Sequence, residues 1–296
     1  MPKIITPYNN KKLFKKTKPK FISKLKEGQT IEGALLNSGI DFSFSKVSKK
    51  GKTKRALVYN PFAKEIVSNN PGIIKDFLTI FNNKSLTKIK GSNNNYSFER
   101  IFFREKNPNF SKIRDFGVLT KEAFILKVLV EGKSKKFFIK RAELSYDLNN
   151  NNYGEYFGLM IQKIFGLNIV EPQLAYIDLR NNIKTGFLVS EYSDLMSLKK
   201  ARKLGIISNK KYSDLFDKIL KIQDNINREL PEIKLEINNH NLKLTDMLPR
   251  NIFLDTKTGK LVFYDPWLIE NNVYTKIGLF FQKRFLKLKN KARQYL

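Results

Sequence analysis

Hydrophobic and polar positions in the middle of the chain predict a β-hairpin followed by a helix. The apolar, β-prone runs Phe124–Val130 and Phe137–Lys140 are separated by a polar turn that contains a glycine. The segment 156–165 then changes to helical spacing, and a glycine follows it directly. The apolar residues of that helix are Phe157, Met160, Ile161 and Ile164.

Four shorter apolar runs predict further strands in the second half of the chain. Segments 173–178 and 185–191 are separated by an asparagine-rich turn and predict a pair of strands. Segments 252–254 and 260–264 flank a turn at Gly259 and predict a small hairpin. The polar segment 238–241, which contains the single histidine, predicts a loop.

Residues 1–105 predict less regular structure than the rest of the chain. Alternation between residues 30 and 62 indicates strands, and the run Phe98–Arg104 indicates one more strand. A helix is expected after Pro71-Gly72, and its apolar face would contain Ile73, Ile74, Phe77, Leu78 and Phe81. We interpret residues 1–105 as a basic N-terminal extension or a small accessory domain, and residues 106–296 as the main domain.

Three oxygen-bearing side chains lie around the predicted hairpin. Asp246 comes five residues before Asn251, and Asp265 follows the second strand. Phosphoryl transfer uses such a set, because one carboxylate can orient or deprotonate an acceptor hydroxyl while an amide oxygen and a second carboxylate bind magnesium. The alternative is an ordinary hairpin in which both aspartates cap turns.

The stretch 246–265 resembles the catalytic segment of the protein-kinase-like superfamily, in which an Asp-x-x-x-x-Asn loop precedes a metal-binding Asp. Leu244-Thr245 and Pro266-Trp267 replace the usual His-Arg and Phe-Gly pairs, so the chain is similar to an atypical member. The resemblance implies that Asp246 acts on the acceptor hydroxyl and that Asn251 and Asp265 bind Mg²⁺ or Mn²⁺.

The same resemblance implies roles for residues upstream of that segment. Lys140 stands where the family's strand lysine contacts the ATP phosphates, and Glu155 would be its ion-pair partner. Glu155 also fits a helix-capping arrangement with Asn152, which is the alternative for this residue. The backbone of Glu191 and Tyr192 would form the hinge that binds adenine.

The family's glycine-rich phosphate loop is absent, since the chain contains no Gly-x-Gly sequence. A shorter turn at 116–120, with Thr120 facing the phosphates, would have to replace it. The resemblance implies an α+β, bilobal kinase-like fold with an antiparallel-sheet N-lobe near 106–191 and a mostly helical C-lobe near 192–296. No Ala-Pro-Glu-like anchor follows Asp265, so we expect a reduced C-lobe, as in bacterial effector-type, small-molecule or lipid kinases.

We therefore expect an ATP- and magnesium-dependent kinase that phosphorylates a hydroxyl group, with a protein as the first choice of substrate. A phosphoinositide or small-molecule kinase is one alternative. A catalytically inactive pseudokinase, or a basic scaffold that binds anionic lipid or nucleic acid, is another. Because the chain has no cysteine and one histidine, thiol catalysis, cysteine-bound zinc and histidine-rich metal sites are excluded.

The formal net charge of +29 points to polyanionic partners. Segments 11–26 and 276–293 are rich in lysine and contain no acidic residue. They would suit an anionic membrane, a phosphoinositide or an inositol polyphosphate. Nucleic acid is disfavoured as a partner, because no recognised nucleic-acid-binding motif accompanies the lysines.

Neither a signal peptide nor a long apolar span is evident in the sequence. We expect a soluble, cytoplasmic protein. Export as an effector into a host cell and peripheral association with a membrane stay open as alternatives.

Overall fold

The computed structural model has an α+β fold with a large antiparallel sheet and several helices. It describes residues 30, 31, 33, 35, 43–49, 52–91, 94–103, 120–143, 152–178, 185–193, 195–230, 233–235, 238–245, 247–256 and 258–270. Within these residues, no helix is both long and apolar enough to cross a bilayer.

Contacts divide the chain into two compact units, which we treat separately. The sheet unit contains Asp41–Tyr156 and Glu171–Ser193. The mixed unit contains Met1–Ile40, Phe157–Val170 and Asp194–Leu296. The helix α3 (Asn152–Ile164) contributes residues to both units.

The sheet unit is built on one eight-stranded antiparallel sheet with the order β1-β2-β7-β8-β6-β5-β4-β3. Its strands are β1 (Ser43–Lys49), β2 (Lys52–Tyr59), β3 (Lys88–Lys90), β4 (Tyr96–Phe103), β5 (Thr120–Val130), β6 (Lys133–Glu143), β7 (Pro172–Asp178) and β8 (Thr185–Glu191). The predicted strand pairs are therefore present, and several are longer than their apolar runs. The sequence analysis placed a domain boundary near residue 105, and the sheet includes strands from both sides of that position.

The hairpin between β5 and β6 turns in two residues, Glu131 and Gly132. Both have positive φ, 50° and 72°, as a tight turn that matches the twist of the flanking strands requires. Glycine reaches this conformation without strain because it has no Cβ atom. The turn sets the register in which Ala123 lies opposite Lys140.

Two helices, α1 (Pro61–Asn69) and α2 (Ile73–Asn82), supply side chains to the core of the sheet unit. Phe77 of α2 contacts three aromatic rings of the sheet, with centroid distances of 5.2–5.7 Å. These rings belong to Phe98, Phe124 and Phe187. The predicted apolar face was partly wrong, because Ile80 is buried while Ile74 and Leu78 are 47% and 46% exposed. The residues of α2 that face the core are Ile73, Phe77 and Ile80, at helical spacings of four and three residues.

A buried carboxylate ties α2 to the sheet. Glu122 of β5 is 0% exposed and lies 2.7 Å from Lys84 and 3.2 Å from Arg141. Arg100 is nearby, and its guanidinium donates to the backbone carbonyls of Lys84 and Leu86 at 3.1 and 2.6 Å. Burial lowers the pKa of Arg100, and the Glu122 charge acts in the opposite direction. The segment directly after α2 is thereby bonded to strands β4, β5 and β6.

The mixed unit combines helices with two small sheets. Besides its part of α3 it contains α4 (Leu198–Lys203) and α5 (Asn209–Glu229). One sheet has the order β10-β11-β14 and the other β13-β12-β9. The strands are β9 (Met196–Ser197), β10 (Ile233–Leu235), β11 (Asn238–Thr245), β12 (Ile252–Leu254), β13 (Leu261–Phe263) and β14 (Trp267–Glu270).

The loop predicted at 238–241 was wrong, because these residues form the beginning of β11. Asparagine has low strand propensity, and the polar composition therefore indicated a loop. Pairing with β10 at one end and β14 at the other supplies the backbone hydrogen bonds that stabilise the strand.

Candidate functional site

A buried ion pair lies on one face of the sheet unit. Lys140 comes from β6, which runs between β8 and β5, and Glu155 lies in the first turn of α3. The Lys140 Nζ atom is 2.8 Å from each carboxylate oxygen of Glu155. The two residues are 7% and 5% exposed. The ion pair predicted for these residues is therefore present.

Strand alternation explains why Lys140 is separated from the aromatic core. Phe137 and Ile139 belong to the core cluster with α1 and α2, and successive strand residues point to opposite faces. Lys140 thus lies on the other face of the sheet, directly opposite Ala123. Two buried charges are costly unless they are paired and hydrogen-bonded, so a short two-oxygen contact is the arrangement that tolerates burial.

The residue after Glu155 stays uncharged. Burial raises the pKa of the Tyr156 phenol above its ordinary value, and the carboxylate of Glu171 acts in the same direction. Tyr156 is 1% exposed.

A second set of polar groups lies in the mixed unit. The hairpin β12–β13 pairs Ile252 with Phe263 and thereby places Asn251 beside the residues that follow β13. The Asn251 carbonyl accepts a hydrogen bond from the Tyr264 N–H at 2.9 Å. Its side-chain amide donates to the Asp265 carbonyl at 3.3 Å. Asn251 and Asp265, which are fourteen positions apart in sequence, are therefore neighbours.

Asp265 has an unusual backbone conformation. Its φ is 56°, in the left-handed region that residues other than glycine rarely adopt. Aspartate and asparagine tolerate this region best among residues with a side chain. Such conformations concentrate at functional sites, where the surrounding structure holds them against their intrinsic cost. In this structure the Asn251 side-chain amide donates a hydrogen bond to the backbone carbonyl of Asp265.

The chain is anchored on both sides of position 246 by one face of α5. The Asn227 side chain donates to the Leu244 carbonyl at 2.7 Å and accepts from the Leu244 N–H at 3.0 Å. One helical turn earlier, Gln223 is 5% exposed and accepts from the Met247 N–H at 3.1 Å. The sequence analysis missed both residues. They could have been found in the sequence as two amide side chains that lie four positions apart on an otherwise apolar face of a helix.

Gly158 of α3 is a further residue that the sequence analysis did not single out for packing. A Cβ atom at this position would lie 3.0 Å from Cγ of Pro266, the residue after Asp265. The same atom would lie 3.5 Å from the Leu244 side chain. Glycine therefore allows the segment after β13 to approach the helix closely.

The predicted hinge residues Glu191 and Tyr192 are held by backbone hydrogen bonds. The Glu191 N–H donates to the Glu171 carbonyl and the Tyr192 N–H to the Lys136 carbonyl, both at 3.0 Å. Thr120 is the first residue of β5, and only its backbone is described. Asp246 and the basic segments 11–26 and 276–293 lie outside the described residues.

The donor atoms around Asp265 suit a hard divalent cation. The Asn251 side-chain nitrogen donates to the Asp265 carbonyl, and the side-chain oxygen is the atom of an amide that binds cations. Together with the Asp265 carboxylate it would supply the oxygen ligands that Mg²⁺ prefers. Within the described residues, which do not include Asp246, no group of three or more histidine, aspartate or glutamate side chains is placed to hold a metal.

Comparison with known proteins places the chain in no family. No family model matches the sequence, and no curated protein is significantly similar to it. We therefore infer function from the geometry of the residues themselves.

Proposed function

We propose that this protein is an ATP-dependent kinase that transfers the γ-phosphoryl group to a hydroxyl. The observation that carries the proposal is the buried contact between Lys140 and Glu155, with both Nζ–O distances at 2.8 Å. A lysine on a central strand, held in place by a glutamate on a neighbouring helix, can present a fixed positive charge to nucleotide phosphates. A buried ion pair adds little stability over an apolar pair, so stability alone is a weak explanation for this one.

The polar groups of the mixed unit support the same reaction. Asn251 and Asp265 lie together, and Asp265 has the left-handed backbone conformation that is common at functional sites. The α+β architecture, with an eight-stranded antiparallel sheet in one unit and helices in both, is compatible with a bilobal kinase-like fold. We propose the bilobal kinase-like fold together with the kinase activity.

Each residue would have one role in the transfer. Lys140, oriented by Glu155, would neutralise the phosphates, and Asp246 would orient the acceptor hydroxyl and accept its proton. Asn251 and Asp265 would hold Mg²⁺ or Mn²⁺. The bound metal would supply charge neutralisation at the phosphate oxygens. A protein hydroxyl is the first candidate acceptor, and an inositol lipid or small molecule is the alternative.

At the proposed hinge, Glu191 and Tyr192, adenine would be recognised by backbone carbonyl groups. The N–H groups of Glu191 and Tyr192 already donate to carbonyls inside the sheet unit. Adenine recognition by these two residues would therefore use their carbonyl oxygens, which can accept from the exocyclic amino group of adenine.

Nucleotide binding is the first test. Incubation of the full chain with ATP and Mg²⁺ should raise Tm by several degrees, since ligand at a hundred times Kd adds about 2.7 kcal/mol to the free energy of unfolding. Addition of EDTA should remove most of the shift, and labelled ATP should label the protein or an added acceptor protein. Absence of any nucleotide-dependent shift with either Mg²⁺ or Mn²⁺ would contradict the proposal.

The anchoring of residues 244–247 leads to a second prediction. Gln223→Leu removes the acceptor of the Met247 N–H, and we expect turnover to fall by roughly ten- to a hundredfold because the segment carrying Asp246 is displaced. Binding of ATP, measured by thermal shift, should stay nearly unchanged. Gln223→Glu keeps an acceptor oxygen and should recover much of the turnover.

The matched control for this prediction is Lys221→Ala, which changes an exposed residue of the same helix. It should leave both turnover and nucleotide binding unaltered. Equal losses of turnover and of ATP binding in Gln223→Leu would indicate that the glutamine only stabilises the mixed unit.

A further inference from the structure

The turn between α4 and α5 exposes two large aliphatic side chains. Leu204 is 59% exposed and Ile206 is 44% exposed, while Ile207 beside them is only 3% exposed. Exposed single hydrophobic residues are common on protein surfaces. Two of them on one short turn, next to a buried neighbour that anchors it, form a small apolar projection.

Backbone hydrogen bonds fix the shape of this turn. The Ile206 N–H donates to the Ala201 carbonyl and the Gly205 N–H to the Arg202 carbonyl, both at 3.0 Å. Gly205 has φ of 70°, which completes the glycine-ended helix terminus known as a Schellman motif. The exposure of Leu204 and Ile206 is thus set by a hydrogen-bonded turn.

Positive charge surrounds the projection. Residues 195–213 contain six lysines and arginines and no acidic residue. Four lysines are exposed, and Arg202 stacks on the buried Tyr212 with its Cζ atom 4.9 Å from the ring centroid. The exposed lysines are Lys199, Lys200, Lys203 and Lys210. We call residues 199–211 the basic tip.

Two of these charges stand where the helix itself does not favour them. Ser208 caps α5 by accepting from the Lys211 N–H at 3.2 Å, and Lys210 and Lys211 occupy the first turn. The N-terminus of a helix carries partial positive charge and favours acidic residues. Lysines at these positions work against helix stability, which favours a role in binding an anion.

From these observations we propose that the basic tip binds the surface of an anionic membrane. The aliphatic side chains would enter the interface between headgroups and acyl chains, and the lysines would lie at the level of the lipid phosphates. Nucleic acid fits less well, because binding of single strands uses exposed aromatic side chains and the tip has none. Membrane binding by the basic tip does not depend on the proposed phosphotransfer.

Co-sedimentation of the full chain with lipid vesicles tests the apolar contribution. Leu204→Ser/Ile206→Ser should weaken binding to phosphatidylcholine–phosphatidylserine vesicles by roughly tenfold or more, because two partly exposed aliphatic side chains no longer enter the bilayer. The matched control is Ile74→Ser/Leu78→Ser, which alters two exposed aliphatic residues of α2. It should bind as the unaltered protein does. Equal binding by all three proteins would overturn the proposal.

A charge substitution tests the lysines without weakening the fold. Lys210→Glu/Lys211→Glu places acids in the first turn of α5 and a glutamate three residues after the Ser208 cap, so helix stability should rise. Vesicle binding should nevertheless fall by more than roughly tenfold, and more steeply at low salt. The control Lys88→Glu/Lys90→Glu makes the same charge change at exposed positions of β3. A loss as large in the control would show that overall charge alone is responsible and would overturn the proposal.

A site-specific fluorescent label distinguishes a membrane from a soluble acidic partner. The chain has no cysteine, so Leu204→Cys and Ile74→Cys each provide a unique labelling position. With an environment-sensitive dye, the label at 204 should shift to shorter wavelength with phosphatidylserine vesicles, and the label at 74 should not. No shift at 204, combined with tip-dependent binding to an acidic polypeptide or an oligonucleotide, would overturn the membrane assignment.

Discussion

Replacing Asp265 with asparagine will remove metal-dependent nucleotide binding and lower phosphoryl transfer by roughly a hundredfold or more. Asparagine is the informative substitution because Asp265 has φ of 56°, a conformation that asparagine tolerates and alanine tolerates poorly. The backbone and its bond from Asn251 should therefore persist while the carboxylate charge is lost. Thermal shift with ATP and Mg²⁺, followed by transfer from labelled ATP, measures both effects.

Asp246→Asn should give a different result from Asp265→Asn. A residue that orients the acceptor hydroxyl contributes to turnover, so binding of ATP should stay nearly intact while turnover falls by roughly a hundredfold or more. Asp217→Asn, on the exposed side of α5, is the control and should change neither quantity. Equal loss of ATP affinity in the Asp246 and Asp265 variants would show that the roles of the two aspartates are wrongly assigned.

The second large effect concerns the buried pair. Lys140→Met alone and Glu155→Leu alone should each lower the free energy of unfolding by about 3–5 kcal/mol, because each leaves one buried charge without its oppositely charged partner. The double variant Lys140→Met/Glu155→Leu replaces both charges with apolar side chains and should regain most of that loss. Urea denaturation of the four proteins gives the comparison.

Activity decides between a structural and a functional pair. The double variant should stay inactive despite its recovered stability, because no charge is left to neutralise the phosphates. Lys133→Met removes an exposed lysine from the same strand and should retain activity. A stable double variant with full phosphotransfer would assign the pair to folding alone.

Most of the local structure could be predicted from hydrophobic patterns along the chain. Apolar, β-prone runs bounded by polar turns predicted the hairpin of β5 and β6 and the strands β7 and β8, and helical spacing predicted α3. Such patterns are readable because each side chain's direction follows from its own position in a strand or helix. The proximity of Asn251 and Asp265 was also predictable, since a short hairpin with a glycine turn joins them.

Tertiary structure decided the features that depend on distant neighbours. Lys140 and Glu155 could be proposed as partners from their order, but their 2.8 Å contact depends on packing between a strand and a helix. The exposure of Ile74 and Leu78, and that of Leu204 and Ile206, depends on which elements cover each face. Gln223 acquires its role only because Met247 is brought to it across the fold. Burial and hydrogen bonding are properties of three-dimensional neighbours, whereas hydrophobic periodicity is a property of the chain alone.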